Sequence, residues 1–225
     1  RGASKDTEFY FAKLGKLGGD ADVAIVRGDS AAAKAPSEVE SVRRYSAVMA
    51  DFIGRAGLSG VVISDLDVTA ERLKAVKLVI LPHNPSVPDE VAGEIGEFIK
   101  AGGKMIACYT LPGQLQGVCR LRLGPHIRQK QSGQFASIRP AGRGLKGMPA
   151  VTRQASWNIR AVSPMGTRSR VVAHWYNEGG EATGLPAIVA SENCVFLTHV
   201  MMADDPANKM QLLLAMAGHL VPGLW

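Results

Sequence analysis

The chain has 225 residues, 46% of them hydrophobic, and a formal net charge of +6; this suits one large α/β domain or two small ones and excludes a disordered chain. Its longest apolar runs are strand-sized, so no transmembrane helix and no membrane partner are expected. Three scattered cysteines, Cys108, Cys119 and Cys194, build neither a disulfide framework nor a zinc site. No signal-peptide pattern is present, and a chain that begins at Arg1 reads as a mature product or a segment of a longer polypeptide.

In chain order, residues 1–19 read as an N-terminal extension with helical potential, closed by Gly18-Gly19, and residues 20–225 as a single domain. "DVAIVR" (22–27) is a continuous apolar run that predicts a buried strand. In "PSEVESVRRYSAVMADFIGRAGL", Val39, Val42, Tyr45, Met49, Phe52 and Ala56 recur at helical spacing, Ser37 and Glu40 have the spacing of a capping box, and Gly57 supplies a stop. "GVVIS" (60–64) and "KLVILP" (77–82) predict the second and third strands. "PDEVAGEIGEFIKAGG" is a second helix with acids in its first turn, and "KMIACYT" (104–110) a fourth strand. Continuous apolar strands alternating with amphipathic helices mean a parallel sheet covered on both faces.

The second half changes style. Residues 113–150, rich in Gly, Pro and Arg, read as long loops with little regular structure. "RVVAHWY" (170–176), "LPAIVA" (185–190) and "CVFLTHVMM" (194–202) are separated by turn-forming residues and predict antiparallel strands. A last helix is expected from Asp205 as N-cap, with Pro206 at its first position, to about Leu220.

The charge is unevenly spread. Between Glu97 and Glu178 there is no acidic residue, yet that interval holds 13 of the 26 Lys and Arg; the other 13 share the rest of the chain with all 20 acids. Such asymmetry marks either a solvated surface neutralised by the acidic part or an anion-binding face centred on Arg120, Arg122, Arg128 and Lys130. No nucleic-acid motif accompanies it, and nucleic acid is not an expected partner.

In open α/β sheets ligands bind beyond the carboxyl ends of the strands. The polar residues ending the predicted strands are Arg27 and Asp29, Asp65, His83 and Asn84, Tyr109 and Thr110, and His199. These predict a ligand-binding rim of Arg27, Asp29, Asp65, His83, Asn84, Tyr109 and His199. Arg27-Gly28-Asp29 spells an integrin-binding tripeptide, but at the exit of a buried strand. Asp65, His83 and His199 are metal-ligand types without ligand spacing, so neither metal nor cofactor is expected. Cys108 or Tyr109 with His199 are candidate catalytic residues. A nucleophile elbow, however, strains its central residue and needs small neighbours two positions away. Around Cys108 these are Ile106 and Thr110, and around Tyr109 they are Ala107 and Leu111. A carboxylate two residues after His199 is also missing, since position 201 is Met, and Asp204 and Asp205 read as caps of the final helix.

The strand order, "GGKMIACYT" and "CVFLTHV" resemble the class I glutamine amidotransferase-like superfamily over residues 20–220. "LPHNPSVPDEVAGEIGEFIKAGGKMIACYTLPGQL" resembles its non-catalytic members: the middle domain of certain β-galactosidases, and more closely the domain C-terminal to a glycoside-hydrolase-like barrel in uncharacterised bacterial proteins. "GQFASIRP", "RQASWNI", "TGLPAIVAS", "THVMMADD" and "LLLAMAGHLVPGLW" carry that closer likeness. The resemblance implies a flavodoxin-like, three-layer α/β sandwich, with a mainly parallel sheet and antiparallel additions in the second half. It implies that the nucleophilic cysteine of active members is replaced near Tyr109, that their histidine falls near His199, and that their glutamate has no counterpart. It further implies an extracytoplasmic location and other domains of the same polypeptide as partners.

The leading expectation is therefore a non-catalytic accessory domain of a larger carbohydrate-active protein, serving packing, oligomerisation or ligand binding. Its rivals are a hydrolase using Cys108 or Tyr109 with His199, and a module that binds acidic carbohydrate.

Overall fold

A computed structural model of the chain describes residues 21–224; the extension expected over residues 1–19 lies outside the described residues. Strands β1 (Val23–Arg27), β2 (Gly60–Ser64), β3 (Leu78–Leu81) and β4 (Lys104–Cys108) form where the sequence carries continuous apolar runs, each the same length as its run or a residue or two shorter. Five further strands join them in one sheet: β6 (Phe135–Pro140), β7 (Thr152–Ser156), β9 (Ser169–Tyr176), β10 (Ala182–Ser191) and β11 (Cys194–Leu197). The order is β2-β1-β3-β4-β11-β10-β9-β6-β7. Pairing is parallel from β2 to β11 and antiparallel from β11 to β7. Strands β5 (Leu121–Arg128) and β8 (Asn158–Pro164) stand apart as a two-stranded antiparallel ribbon.

Among the described residues the six α-helices are α1 (Asp29–Lys34), α2 (Val39–Arg55), α3 (Ala70–Leu73), α4 (Asp89–Lys100), α5 (Gly113–Cys119) and α6 (Pro206–Leu220). Successive strand residues point to opposite faces, so β1 sends Val23 and Ile25 to one core and Ala24 and Val26 to the other. The first core packs Met49, Phe52 and Ile53 of α2 and Leu212, Leu213 and Met216 of α6 against the sheet. The second packs Val91, Ile95 and Ile99 of α4 with Leu115 and Cys119 of α5. Each fully buried Leu or Ile here contributes about 1.5–3 kcal/mol of hydrophobic stabilisation. The outcome is the three-layer α/β arrangement with antiparallel additions that the sequence predicts. No helix among the described residues is long and apolar enough to cross a membrane.

Three local expectations are corrected. Residues 113–150 are not mainly loop: they hold α5, β5 and β6. Gly124 and Pro125 interrupt the apolar pattern of β5, but they fall where the register with β8 shifts between Leu123 and His126, and a bulge needs no donor from proline. The capping box of Ser37 and Glu40 is not formed. A 3-10 turn over Pro36–Glu38 runs straight into α2, and neither start has a side-chain cap. Gly57 does end α2, in the left-handed region at φ 75°. Asp205 holds the N-cap position of α6 with Pro206 after it, as expected, but its side chain makes no capping bond. Its backbone is left-handed, and its carboxylate accepts from the Arg153 N–H (2.8 Å) and from Asn208 Nδ2 (2.9 Å).

Candidate functional site

The strand ends form one rim, and the backbone at its centre is strained. At the exit of β4, Tyr109 has φ 65°, and the Thr110 N–H donates to the Cys108 carbonyl across it at 2.7 Å. This is a three-residue turn with a non-glycine residue in a conformation that costs roughly 1–3 kcal/mol. The elbow therefore exists without glycine on either side, contrary to the expectation from its neighbours. Its tip carries a phenol, while Cys108 is fully buried beneath it. Burial pushes the Cys108 thiol up to about 12, so the thiolate that nucleophilic chemistry requires is absent at neutral pH. Cys119 and Cys194 are also buried and free.

Tyr109 is the hub of an aromatic cluster. Its ring centroid lies 5.0 Å from His126, 5.5 Å from His199 and 6.2 Å from His83. Tyr45 of α2 meets His83 edge-on at 5.5 Å, and Trp157 meets His199 edge-on at 5.0 Å. Asn158 Nδ2 donates to the Tyr109 hydroxyl at 2.6 Å. Burial raises the pKa of the phenol, while the Asn158 bond and the Arg160 charge pull it back. In the ribbon, His126 lies opposite Arg160 and Arg128 opposite Asn158, so all four side chains emerge on one face.

His199 is 2% exposed. With the ring neutral, Gln154 Nε2 donates to its Nδ1 at 3.1 Å. Burial, reinforced by Lys209 and His83, lowers its pKa to about 4. The carboxylate that would orient a catalytic histidine is elsewhere: Asp204 pairs with the buried Lys209, whose Nζ also donates to the Met202 carbonyl at 3.0 Å. His83 Nε2 meets Glu38 Oε2 at 3.0 Å. Asn84 Nδ2 donates to the Val26 carbonyl at 3.1 Å, and the Asn84 carbonyl accepts from Thr110 Oγ1 at 2.9 Å. Gly28 permits this closeness, since a Cβ there would lie 3.1 Å from the His83 carbonyl and 3.3 Å from Asn84 Nδ2.

The other end of the rim is closed on itself. Arg27 Nε and Nη2 donate to the two Asp29 carboxylate oxygens at 2.7 and 2.8 Å, so the tripeptide's arginine and aspartate face each other rather than a partner. Asp65 is fully buried and accepts from the Ser30 N–H at 2.9 Å and from the Ser30 hydroxyl. Burial raises the Asp65 pKa, and the Ser30 bonds oppose this. The structure thus brings His83, Asn84, Tyr109 and His199 together, and sets Arg27, Asp29 and Asp65 in a separate group. Of the basic residues expected to bind anions, Arg120 instead shares Glu192 with Arg168, both at 3.3 Å. Arg122, Arg128 and Lys130 are exposed.

Tyr45, Glu38, His126, Gln154, Trp157, Asn158 and Arg160 join the site without having been expected from the sequence. The alternation in His126-Ile127-Arg128 and Asn158-Ile159-Arg160 is the one signal that two polar strand faces were present. Nothing local says that the ribbon folds over the end of β4.

No family model matches the sequence, and no curated protein matches it. Among solved structures, the chain is similar to a β-galactosidase from Rahnella sp. R3, with a TM-score of 0.63 and 17% identity over 96% of this chain and 34% of that one. It is similar to a ThuA-like protein from Bacteroides uniformis, with a TM-score of 0.64 and 11% identity over 88% of this chain and 90% of that one. It is also similar to a GMP synthase component from Thermoplasma acidophilum, with a TM-score of 0.57 and 7% identity over 88% and 92%. At these identities the likeness defines the fold, a mixed α/β domain of the ThuA-like and class I glutamine amidotransferase-like kind. The chain spans about a third of the β-galactosidase chain it matches.

Proposed function

We propose that this chain is a non-catalytic, amidotransferase-like domain of a larger carbohydrate-active protein, in which the rim around Tyr109 binds rather than transforms its ligand. The observation that carries this reading is the occupant of the strained turn. The position best placed to attack a ligand holds Tyr109, hydrogen-bonded to Asn158, while the adjacent thiol is sealed in the core. A nucleophile must be exposed and activated by a base that a third group orients. His199 is buried, held neutral, and lacks a carboxylate partner. The partial coverage of a β-galactosidase chain supports the accessory role, as does the likeness of "GGKMIACYT" and "CVFLTHV" to the non-catalytic members.

The test is turnover. Incubating the chain with glutamine and with a set of aryl glycosides should release neither ammonia nor phenol above the uncatalysed rate. Turnover that disappears in His199→Gln or Tyr109→Phe would replace this reading with the hydrolase.

A further inference from the structure

The edge of the sheet opposite Tyr109 carries a groove that is mostly apolar and whose charges are largely spent. It lies where β3 and β4 begin, between the end of α4 and the end of α6, and has a volume of about 650 Å³. Leu73, Val76, Phe98, Ala101, Leu220 and Val221 line it. Val76, Phe98 and Val221 are only half-buried and Ala101 is exposed. The Phe98 ring lies directly on Gly103, with no room for a Cβ there, which fixes this wall. The charged residues of the lining are mostly engaged. Lys74 pairs with Glu71 at 4.0 Å, Lys77 with Asp22 at 2.7 Å and Glu97 with Lys100 at 2.7 Å, and Lys104 Nζ donates to Asn193 Oδ1 at 2.9 Å. Among the described residues, Glu94 alone of these groups has no such partner. The groove therefore offers an occupant apolar surface and one carboxylate, and it calls for a segment that is apolar and basic.

One stretch of this chain has that chemistry and is attached at that place. Ahead of the described residues, "FYFAKLGKL" (9–17) holds Phe9, Tyr10, Phe11, Leu14 and Leu17 with Lys13 and Lys16, and no acid. Tyr10, Leu14 and Leu17 have the spacing of one helical face. The described chain begins beside the groove: Asp22, which pairs with the groove residue Lys77, also accepts the Lys77 N–H on its backbone carbonyl at 2.8 Å. Only Gly18-Gly19-Asp20 separates Leu17 from Ala21, a tether that spans at most about 14 Å. A tether this short holds the segment near the groove at an effective concentration of about millimolar. A second copy of the chain has no such advantage, so the segment of the same chain is the favoured occupant.

We propose that residues 9–17 dock in this groove, with their apolar side chains against Phe98, Ala101 and Val221 and a lysine on Glu94, so that the segment is part of the folded domain and seals the edge of the sheet where β3 and β4 begin. Hydrogen exchange followed by mass spectrometry on the 225-residue chain tests it. Amides of residues 9–17 should exchange about tenfold or more slowly than free-chain rates. The double variant Tyr10→Ser, Leu14→Ser should return them to free-chain rates and should speed exchange at residues 98–104, the facing wall. Ala101→Arg alters an exposed position; it places a bulky cation in the groove, which excludes the segment and repels its lysines, and it should have the same effect on residues 9–17. Protection of β1 and β4 should persist in both variants and serves as the check that the domain remains folded. Free-chain exchange of residues 9–17 in the unaltered chain, or protection that survives Ala101→Arg, overturns the proposal. Protection that grows with protein concentration overturns it as well, by assigning the groove to a second copy of the chain.

Discussion

At the β1–β2 end of the rim, Arg27 pairs with Asp29 and Asp65 with Ser30; at the β3–β4–β11 end, His83, Asn84, Asn158 and Arg160 keep buried atoms without partners. Both ends use polar residues at strand exits, and both are largely buried. The difference is whether the fold itself completes the hydrogen bonds. A completed set ties α1 to the sheet and leaves little for a ligand to add. An incomplete set around a strained turn is stable only because the surrounding core over-determines it. Residue type alone does not separate the two ends; partnership does.

The two ends should also titrate with opposite sign, and this gives the largest effect. His199 has its folded pKa lowered from 6.5 to about 4 by burial. Its contribution is full above pH 6.5 and is lost as pH falls towards 4, a loss of about 3 kcal/mol. Urea unfolding across that range should show this slope, and His199→Gln should flatten it; an unchanged slope would mean that His199 is solvated. Asp65 behaves in the reverse sense. Its folded pKa is raised from the usual 3.8, so its contribution is full at low pH and declines as pH rises through the folded value. Asp65→Asn should remove that decline.

Smaller effects sharpen the contrast. Asp65→Ala strips Ser30 of its acceptor and should cost about 2 kcal/mol of stability in urea unfolding. An unchanged midpoint would mean that the Ser30 bonds to Asp65 do not hold this end together. Tyr109→Phe removes the bond to Asn158 but keeps the ring, and should cost about 1 kcal/mol in thermal unfolding. A loss several times larger would show that the hydroxyl, rather than the packed ring, holds the turn. Arg27→Gln breaks a partly exposed pair and should stay within about 1 kcal/mol of the parent; a larger loss would make the pair a structural pin.

Much of the parallel half was legible because its signals are local. "VAIVR" and "LVIL" are buried on both faces and so read as unbroken apolar runs, and "GVVIS", half-buried at the edge of the sheet, reads the same way because its four residues before Ser64 are all apolar or Gly. The spacing of Val42, Tyr45, Met49 and Phe52 gave α2 directly. The ribbon was illegible because half of β5 faces outward and Gly124-Pro125 break its alternation at the bulge. His83, Asn84, Tyr109 and His199 could be placed on one rim from strand polarity alone. Trp157, Asn158 and Arg160 could not, because only the tertiary fold brings β8 across the end of β4. The left-handed backbone at Tyr109 was hidden for a similar reason: Ala107 and Leu111 do not advertise a turn that the fold imposes.

The central claim is that the turn which would carry a nucleophile exposes only a tyrosine, with its neighbouring thiol sealed below. Thiol labelling followed site by site in the native chain tests this most directly. The account predicts that Cys108 reacts no faster than the chain unfolds globally, at neutral pH and at pH 8.5 alike, because burial holds its pKa at about 12. Rapid stoichiometric labelling of Cys108 in the folded chain at neutral pH, with the other two cysteines protected, would contradict it.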